Sequence, residues 1–341
     1  MIFEFTRSLR MIVGINGFGR IGKQVYRILV KNGVKVALVN DPNIDLKYFY
    51  YLAKYDTVYG TIEEIDIGAK SITAHGIETF LSNETDPRDI KWSRYDVDYV
   101  LECSGKFTTL KKCERHKVGR VILSSPSEDV PMFVYGVNHT KLGDQKVIST
   151  ASCTTNCLAP LAKLLNDNFG IVEGFLTTVH AMTGSQKPVD LKGAKYRLSR
   201  SCMNIIPSTT GAATAVEKVI PELAGKMDAL AFRVPIIDVS VIDFVVKLNK
   251  PTNLKEIRKL IEKPKESYMQ SIIGLADDDV VSSDMIGDSH SSIVDFGSCM
   301  QLSPTFFKLI SWYDNEYGYC CRMVDMLFYI AEQENKLSIK R

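Results

Sequence analysis

Met11-Ile-Val-Gly-Ile-Asn-Gly-Phe-Gly-Arg-Ile-Gly22 decides the fold of the first half of this 341-residue chain. Its opening, Met11 to Ile15, reads as a buried strand. Glycines follow at 17, 19 and 22, and then a helical pattern of Ile21, Val25, Ile28 and Leu29 that Gly33 stops. The glycines satisfy G-x-G-x-x-G: they permit a tight turn, the close approach of a pyrophosphate, and the packing of helix on strand. A second strand is expected from Val34 to Asn40, with Asp41 at its end. An acid at that separation accepts from a ribose 2′-hydroxyl and repels the 2′-phosphate of NADP. The reading is an NAD site. A glycine-rich turn that only packs helix on sheet is nearly contained within it.

Working outward, β-like runs recur at Val97-Asp-Tyr-Val-Leu-Glu-Cys103 and Arg120-Val-Ile-Leu-Ser124. Strands alternating with helices to about residue 150 predict a doubly wound parallel sheet. Cofactor contacts collect at the carboxyl ends of such strands, which points to Ser104, Gly105 and Ser124.

A different chemistry begins at Ser149-Thr-Ala-Ser-Cys-Thr-Thr-Asn-Cys157. It lies between a β-like run (Lys146-Val-Ile) and an apolar helical pattern (Leu158, Leu161, Ala162, Leu164, Leu165), so Cys153 falls at a strand-to-helix turn. Free N–H groups there are expected to lower the thiol's pKa and to stabilise an oxyanion. Cys157, one turn on, reads as packing. The alternating run Ile171 to Ala181 delivers His180 near its end, a candidate base for that nucleophile. Thr210 and Gly211 open a further helical pattern and suit an anion, and Arg233 offers a fork for a second phosphate. A capped helix and a surface ion pair are the plainer readings of these two.

The rest of the sequence mostly excludes. Composition is that of an ordinary globular protein, 45% hydrophobic and 24% charged, long enough for about two domains. A net charge of +2 gives no reason to expect nucleic acid or an anionic membrane as partner. There is no run long enough to span a bilayer. Residues 1–10 lack a signal peptide's pattern and read as a short extension. Eight cysteines without a paired C-x-x-C motif make neither a disulfide scaffold nor a zinc site, so no metal is expected. An amphipathic helix is expected over 254–262 and a long apolar-periodic one from Tyr317 to about Glu334. Trp312-Tyr-Asp-Asn-Glu-Tyr317, just before the latter, is a polar cluster that composition does not explain.

Taken together these residues resemble the glyceraldehyde-3-phosphate dehydrogenase family from residue 11 to about 330. The resemblance is carried by Gly14-Ile-Asn-Gly-Phe-Gly-Arg-Ile-Gly22, Ala151-Ser-Cys-Thr-Thr-Asn-Cys-Leu-Ala-Pro160, Thr178-Val-His-Ala181, Asn204-Ile-Ile-Pro207, Phe232-Arg-Val-Pro235, Val281-Ser-Ser-Asp284 and Ser311-Trp-Tyr-Asp-Asn-Glu316. It implies an α/β protein with an N-terminal Rossmann NAD-binding domain, residues 1–152, completed by the C-terminal helix 316–341. Residues 153–315 would form an α+β catalytic domain on a mostly antiparallel mixed sheet.

The resemblance further implies a cytoplasmic homotetramer of glycolysis. It would oxidise and phosphorylate glyceraldehyde 3-phosphate with NAD and inorganic phosphate, through a thioester on Cys153 with His180 as base. Gly17, Gly19, Arg20, Ile21, Gly22, Asp41, Ser124 and Asn315 match cofactor positions. Thr183 and Arg233 look like the substrate-phosphate site, and Ser152, Thr154, Thr210 and Gly211 like the site of the attacking phosphate.

Two departures from the family pattern stand out. Thr85 occupies the place of a basic residue before Asp86-Pro87, which predicts weaker adenine-side binding. The loop 191–203 is one or two residues short, which leaves the alignment of Arg197 and Arg200 with the second phosphate site ambiguous. Two other functions compete. One is a related dehydrogenase acting on erythrose 4-phosphate, against which Thr183, Thr210 and Gly211 speak. The other is a non-catalytic scaffold, against which the intact Cys153, His180 and glycine fingerprint speak.

Overall fold

The computed structural model describes residues 11–192, 196–262 and 268–339. The short extension expected over 1–10, part of the altered loop, and the last two residues of the expected C-terminal helix lie outside them. The chain divides into two compact units. One holds the residues up to Phe133, Leu142–Ala151 and the chain from Cys320 onward; the other holds Val134–Lys141 and Ser152–Tyr319.

The first unit is built on eight strands: β1 (Ile12–Asn16), β2 (Lys35–Asn40), β3 (Ile65–Ile67), β4 (Ser71–Ala74), β5 (Ile77–Ser82), β6 (Tyr99–Glu102), β7 (Arg120–Leu123) and β8 (Val147–Ser149). Their order is β8-β7-β6-β1-β2-β5-β4-β3. The six strands from β8 to β5 run parallel, and β4 and β3 add an antiparallel edge. Val13, Ile15, Val36, Leu38, Val100 and Leu101 are all buried, as strands covered on both faces must be. Helix α1 (Arg20–Lys31) follows β1 and buries Val25, Ile28 and Leu29. Helix α2 (Leu46–Lys54) is capped by Asp45, which accepts from the Tyr48 N–H. The exposed antiparallel edge was not anticipated from sequence. Asp66 and the turn 68–70 are solvent-facing, so the pattern there reads as loop.

The second unit carries β9 (Ile171–His180), β10 (Ile206–Thr209), β11 (Met227–Arg233), β12 (Ser240–Leu248), β13 (Ile273–Ala276), β14 (Ser292–Asp295), β15 (Met300–Ser303) and β16 (Phe306–Tyr313). The order is β10-β11-β9-β12-β16-β14-β13, with β15 paired to β16. Only β9–β11 and β13–β14 are parallel pairs, which makes the sheet mixed and mostly antiparallel. On one face Leu176, Ile242, Phe244, Val246, Phe307 and Leu309 are buried. Helices α3 (Cys153–Phe169) and α4 (Ala212–Val219) pack against this sheet. The amphipathic helix expected over 254–262 is present as α5 (Leu254–Glu262), and α6 (Tyr317–Ile339) follows β16. No helix among the described residues is long and apolar enough to cross a membrane.

Candidate functional site

In the second unit, α3 begins at Cys153, with Ser152 as its cap. Ser152 Oγ accepts from the Thr155 N–H at 3.0 Å, and its carbonyl accepts from the Asn156 N–H at 2.9 Å. The cap takes the third donor of the helix and the first intrahelical bond takes the fourth, and the N–H groups of Cys153 and Thr154 are left to face the sulfur. The chain reaches this turn through Ala151, a fully buried non-glycine residue at φ +58°. Left-handed backbone at such a residue is strained and persists only where its surroundings impose it.

Strand β9 ends at His180, which is buried, with Nε2 3.4 Å from Cys153 Sγ. Its Nδ1 lies 2.7 Å from the Ala181 carbonyl and 2.7 Å from Arg233 NH1. The carbonyl only accepts and favours a proton on Nδ1, which leaves Nε2 as the acceptor facing the thiol. The guanidinium only donates and favours the opposite tautomer, with Nε2–H facing a thiolate. Both neutral tautomers thus have a partner, while the doubly protonated ring sets Nδ1–H against the guanidinium and is disfavoured at rest. Burial first, and then the Arg233 charge, push the imidazole down to about 3, against the pull of the Ala181 carbonyl.

The sulfur departs from the sequence expectation. Burial pushes the Cys153 thiol up from its ordinary value rather than down. Arg233, the Thr154 N–H and hydroxyl, and the thiol's own N–H oppose this without overturning it. The helix start is where the sequence placed it. Cys153 itself stays partly accessible, with the protein packed closely enough around it to raise the thiol. Cys157, one turn on, is fully buried and held up to about 12, chiefly by burial.

Two buried groups brace this pair and had no signal in the sequence. Tyr313 Oη lies 2.9 Å from both Thr154 Oγ1 and Thr178 Oγ1, and so ties the start of α3 to β9. Its ring meets His180 edge-on at 6.0 Å. Ser240 Oγ accepts from the Ala181 N–H at 3.1 Å and donates to Asn315 Oδ1 at 2.7 Å. Tyr313 and Asn315 belong to the polar cluster that composition could not place. Asp314, between them, accepts from the N–H groups of Glu316 and Tyr317 at the start of α6.

Cys153, His180 and Arg233 are thus brought together, flanked by Ser152 and Thr154. Thr183 sits just beyond β9, 3.2 Å from Ser185 Oγ. Gly211 is the cap residue of α4, with no side chain capping it. Thr210 Oγ1 accepts from the Ala212 N–H at 3.3 Å. No hydrogen bond joins Thr183, Thr210 or Gly211 to the Cys153–His180 pair among the described residues. In the loop beyond Asp190, Arg200 pairs with Asp190 at 3.5 Å, and Arg197 NH1 lies 3.4 Å from the Pro207 carbonyl.

The first unit holds a cleft of about 210 Å³ at the carboxyl ends of β1, β2 and β6. Gly17, Gly19, Asp41, Ser104 and Thr85 line it; Arg20, Ile21, Gly22, Gly105 and Ser124 do not. The cleft passes a direct test for a dinucleotide. Gly17 has φ +93°, and a Cβ there would meet the Ser104 backbone at 2.6 Å, whereas one on Gly19 would point into open space. The second glycine therefore leaves the room a pyrophosphate needs. Helix α1 has no capping side chain and no acid in its first turn, which suits an anion. Arg20's side chain turns away to Asp56 at 2.7 Å, so what it offers the cleft is backbone. Asp41 accepts from the N–H groups of Phe18 and Asn43 at 2.9 and 3.0 Å. Sequence reading passed over Asn16, Asn40 and Glu84, which also line the cleft.

Comparison with known proteins adds the following. Residues 11–110 match the family model described as glyceraldehyde 3-phosphate dehydrogenase, NAD binding domain, and residues 152–315 match that of its C-terminal domain. The chain is 53% identical over 333 residues to glyceraldehyde-3-phosphate dehydrogenase 1 of Schizosaccharomyces pombe, covering 95% of this chain and 98% of that protein. It is 50% identical over 335 residues to glyceraldehyde-3-phosphate dehydrogenase 4 of Caenorhabditis elegans, covering 94% and 98%.

Proposed function

The chain belongs to the glyceraldehyde-3-phosphate dehydrogenase family, and on that premise we propose that it is the phosphorylating, NAD-dependent enzyme of glycolysis. It converts glyceraldehyde 3-phosphate and inorganic phosphate to 1,3-bisphosphoglycerate while reducing NAD. The observation that carries the reading is the 3.4 Å approach of His180 Nε2 to Cys153 Sγ at an uncapped pair of helix N–H groups.

Cys153 attacks the aldehyde carbon as its thiol proton passes through His180 Nε2 to the carbonyl oxygen, and the Cys153 and Thr154 N–H groups are the donors available to that oxygen as it gains charge. With its own proton on Nδ1 against the Ala181 carbonyl, His180 takes the hydroxyl proton of the resulting adduct on Nε2 while hydride leaves the same carbon, and the ring then gives up its Nδ1 proton to solvent and is neutral again. Bound NAD supplies the hydride acceptor. The thioester left on Cys153 is then opened by phosphate, which returns the sulfur as thiolate. In the neutral tautomer Nε2–H is placed to hold that thiolate. Thr183 and Arg233 hold the substrate's phosphate, while Ser152, Thr154, Thr210 and Gly211 receive the attacking one. Arg233 acts twice in this scheme, since it also bears on the His180 ring.

Residues 1–152 with the C-terminal segment 316–341 serve as the NAD-binding domain and 153–315 as the catalytic domain. Gly19 and the N–H groups of Arg20 and Ile21 receive the pyrophosphate, Gly17 and Gly22 shape the turn and the helix packing that present them, and Asp41 receives the adenosine ribose. Ser124 and Asn315 complete the cofactor set. With the Asn315 side-chain oxygen held by Ser240, its amide nitrogen is the group left to offer.

The chain works as a cytoplasmic homotetramer. In support, one face of the catalytic sheet is open in the single chain and carries Phe175, Leu230, Met300 and Leu302, all exposed. Apolar surface of that kind calls for a partner. Light scattering should give four copies of the 38.2 kDa chain.

The deciding experiment is NADH formation from glyceraldehyde 3-phosphate, with and without phosphate, and against erythrose 4-phosphate. The reading requires a phosphate-dependent rate and a higher kcat/KM for the triose. A rate indifferent to phosphate contradicts it.

A further inference from the structure

Two lines of buried hydrogen bonds run across the strand ends beneath the dinucleotide cleft and meet at Glu102. In the first, the Glu84 N–H and Ser82 Oγ donate to Asn40 Oδ1 at 2.9 and 2.8 Å. Asn40 Nδ2 donates to Asn16 Oδ1 at 2.8 Å, and Asn16 Nδ2 donates to Glu102 Oε2 at 2.6 Å. In the second, Trp92 Nε1 lies 3.2 Å from His116 Nδ1, and His116 Nε2 lies 2.9 Å from the same carboxylate oxygen. Glu102 Oε1 accepts from the Ser104 N–H at 2.8 Å and its hydroxyl at 2.5 Å. The His116 and Glu102 side chains are wholly shielded from solvent.

Both lines have a fixed polarity. A backbone N–H and an indole N–H can only donate. The Glu84 N–H therefore sets the orientation of the Asn40 amide, and through it that of Asn16. Likewise Trp92 makes His116 Nδ1 an acceptor, so Nε2 carries the hydrogen. Every donor then points at Glu102, and only a group that accepts on both oxygens fits. Glutamine there sets an NH₂ either against both the Asn16 amide and the His116 ring or against the Ser104 N–H.

Glu84 and Ser104 both line the cleft, as do Asn16 and Asn40. Ser104 is also the residue whose backbone a Cβ on Gly17 would strike. We propose that Glu102 is a positioning residue for dinucleotide binding. By accepting from Ser104 directly and from the Glu84 segment through Asn16 and Asn40, it holds two walls of the cleft in one geometry. The inference rests on the NAD reading given above.

The test uses the full chain with three variants: Glu102→Gln, Glu102→Gln combined with Asn16→Asp, and His116→Phe. NAD affinity is measured by calorimetry well below each variant's Tm, alongside KM for NAD, KM for the triose phosphate, and kcat. A single buried charge-assisted hydrogen bond corresponds to about tenfold in binding. Glu102→Gln should raise Kd and KM for NAD by about that factor or more and leave kcat at saturating NAD within about twofold. Adding Asn16→Asp restores an acceptor to the line and should recover part of the loss. His116→Phe removes one donor without touching the cleft lining and should raise Kd about threefold. That variant decides the matter if Glu102→Gln does not fold. Unchanged NAD affinity in the folded variants, with only Tm lowered, reduces Glu102 to a structural brace and overturns the inference while sparing the NAD assignment. If the unaltered chain binds no NAD, both fail.

Discussion

Replacing Arg233 with Gln perturbs both the charge beside His180 and the proposed substrate-phosphate site, and the two effects have separate readouts. Arg233 NH1 lies 2.7 Å from His180 Nδ1. Unit charges roughly 4 Å apart interact by about 4 kcal/mol at an effective dielectric constant of ~20. Arg233 is only half-buried, so solvent screening reduces this to about 1–2 kcal/mol, or roughly one pKa unit on the ring. Starting from about 3, His180 remains neutral throughout the assay range without Arg233. The thiol, by contrast, loses the largest influence opposing its burial, so its ionisation moves upward.

The assay is the rate of Cys153 alkylation by iodoacetamide against pH, in the absence of substrate. The unaltered chain should show a single limb rising with pH, because only the thiol titrates. Arg233→Gln should keep one limb, displaced to higher pH, with a lower rate at neutral pH. KM for the triose phosphate should rise independently through the lost phosphate contact. A second ionisation near pH 6–7, or a limb displaced downward, would refute the electrostatic argument.

Further outcomes follow from the cofactor unit. Asp41→Ala removes a like charge facing a 2′-phosphate and should improve kcat/KM with NADP relative to NAD by about tenfold or more; an unchanged ratio in steady-state assays counts against its ribose role. Asp56, fully shielded, accepts from Lys23 at 2.6 Å, Arg20 at 2.7 Å and Gln24 at 2.9 Å. Burial pushes its carboxyl up, but Lys23, the Tyr59 and Val58 N–H groups and Arg20 overcome this and hold it well below the usual range. Its stabilising contribution is therefore complete above the unfolded carboxyl's pKa near 4 and fades as pH falls below that. Asp56→Ala strands the Lys23 charge and should cost about 3–5 kcal/mol by chemical denaturation at pH 7, with the difference from the unaltered chain shrinking in acid. Thr85→Arg should tighten NAD binding by a few fold in calorimetry, by about one surface charge interaction; no gain removes the argument from that position.

Much of this was legible because the physics is local. The glycines of Met11–Gly22 declare a strand, a tight turn and a helix within one stretch, and the turn 152–154 declares a helix start. His180 and Arg233 were legible as residues of the right type near strand ends. Their meeting was not, because a sequence does not give the register that pairs His180 with Arg233 across β9 and β11. Distance along the chain also hid Tyr313, whose partners lie 159 and 135 residues away. The direction of the Cys153 shift is hidden for a related reason: hydroxyl neighbours suggest a polar turn, but the surroundings of the sulfur are decided by the sheet and helices packed around it. Val239, a buried β-branched residue at φ +64° just before Ser240, likewise carries no warning in the sequence.

The central claim is a covalent bond between Cys153 and the oxidised substrate, and mass spectrometry tests it most directly. With NAD and glyceraldehyde 3-phosphate present and inorganic phosphate withheld, the account predicts a 3-phosphoglyceroyl thioester on the peptide containing Cys153. That adduct should disappear on adding phosphate and be missing in Cys153→Ser, which still binds NAD. An acyl group on another residue, or NADH formation by Cys153→Ser, would contradict it.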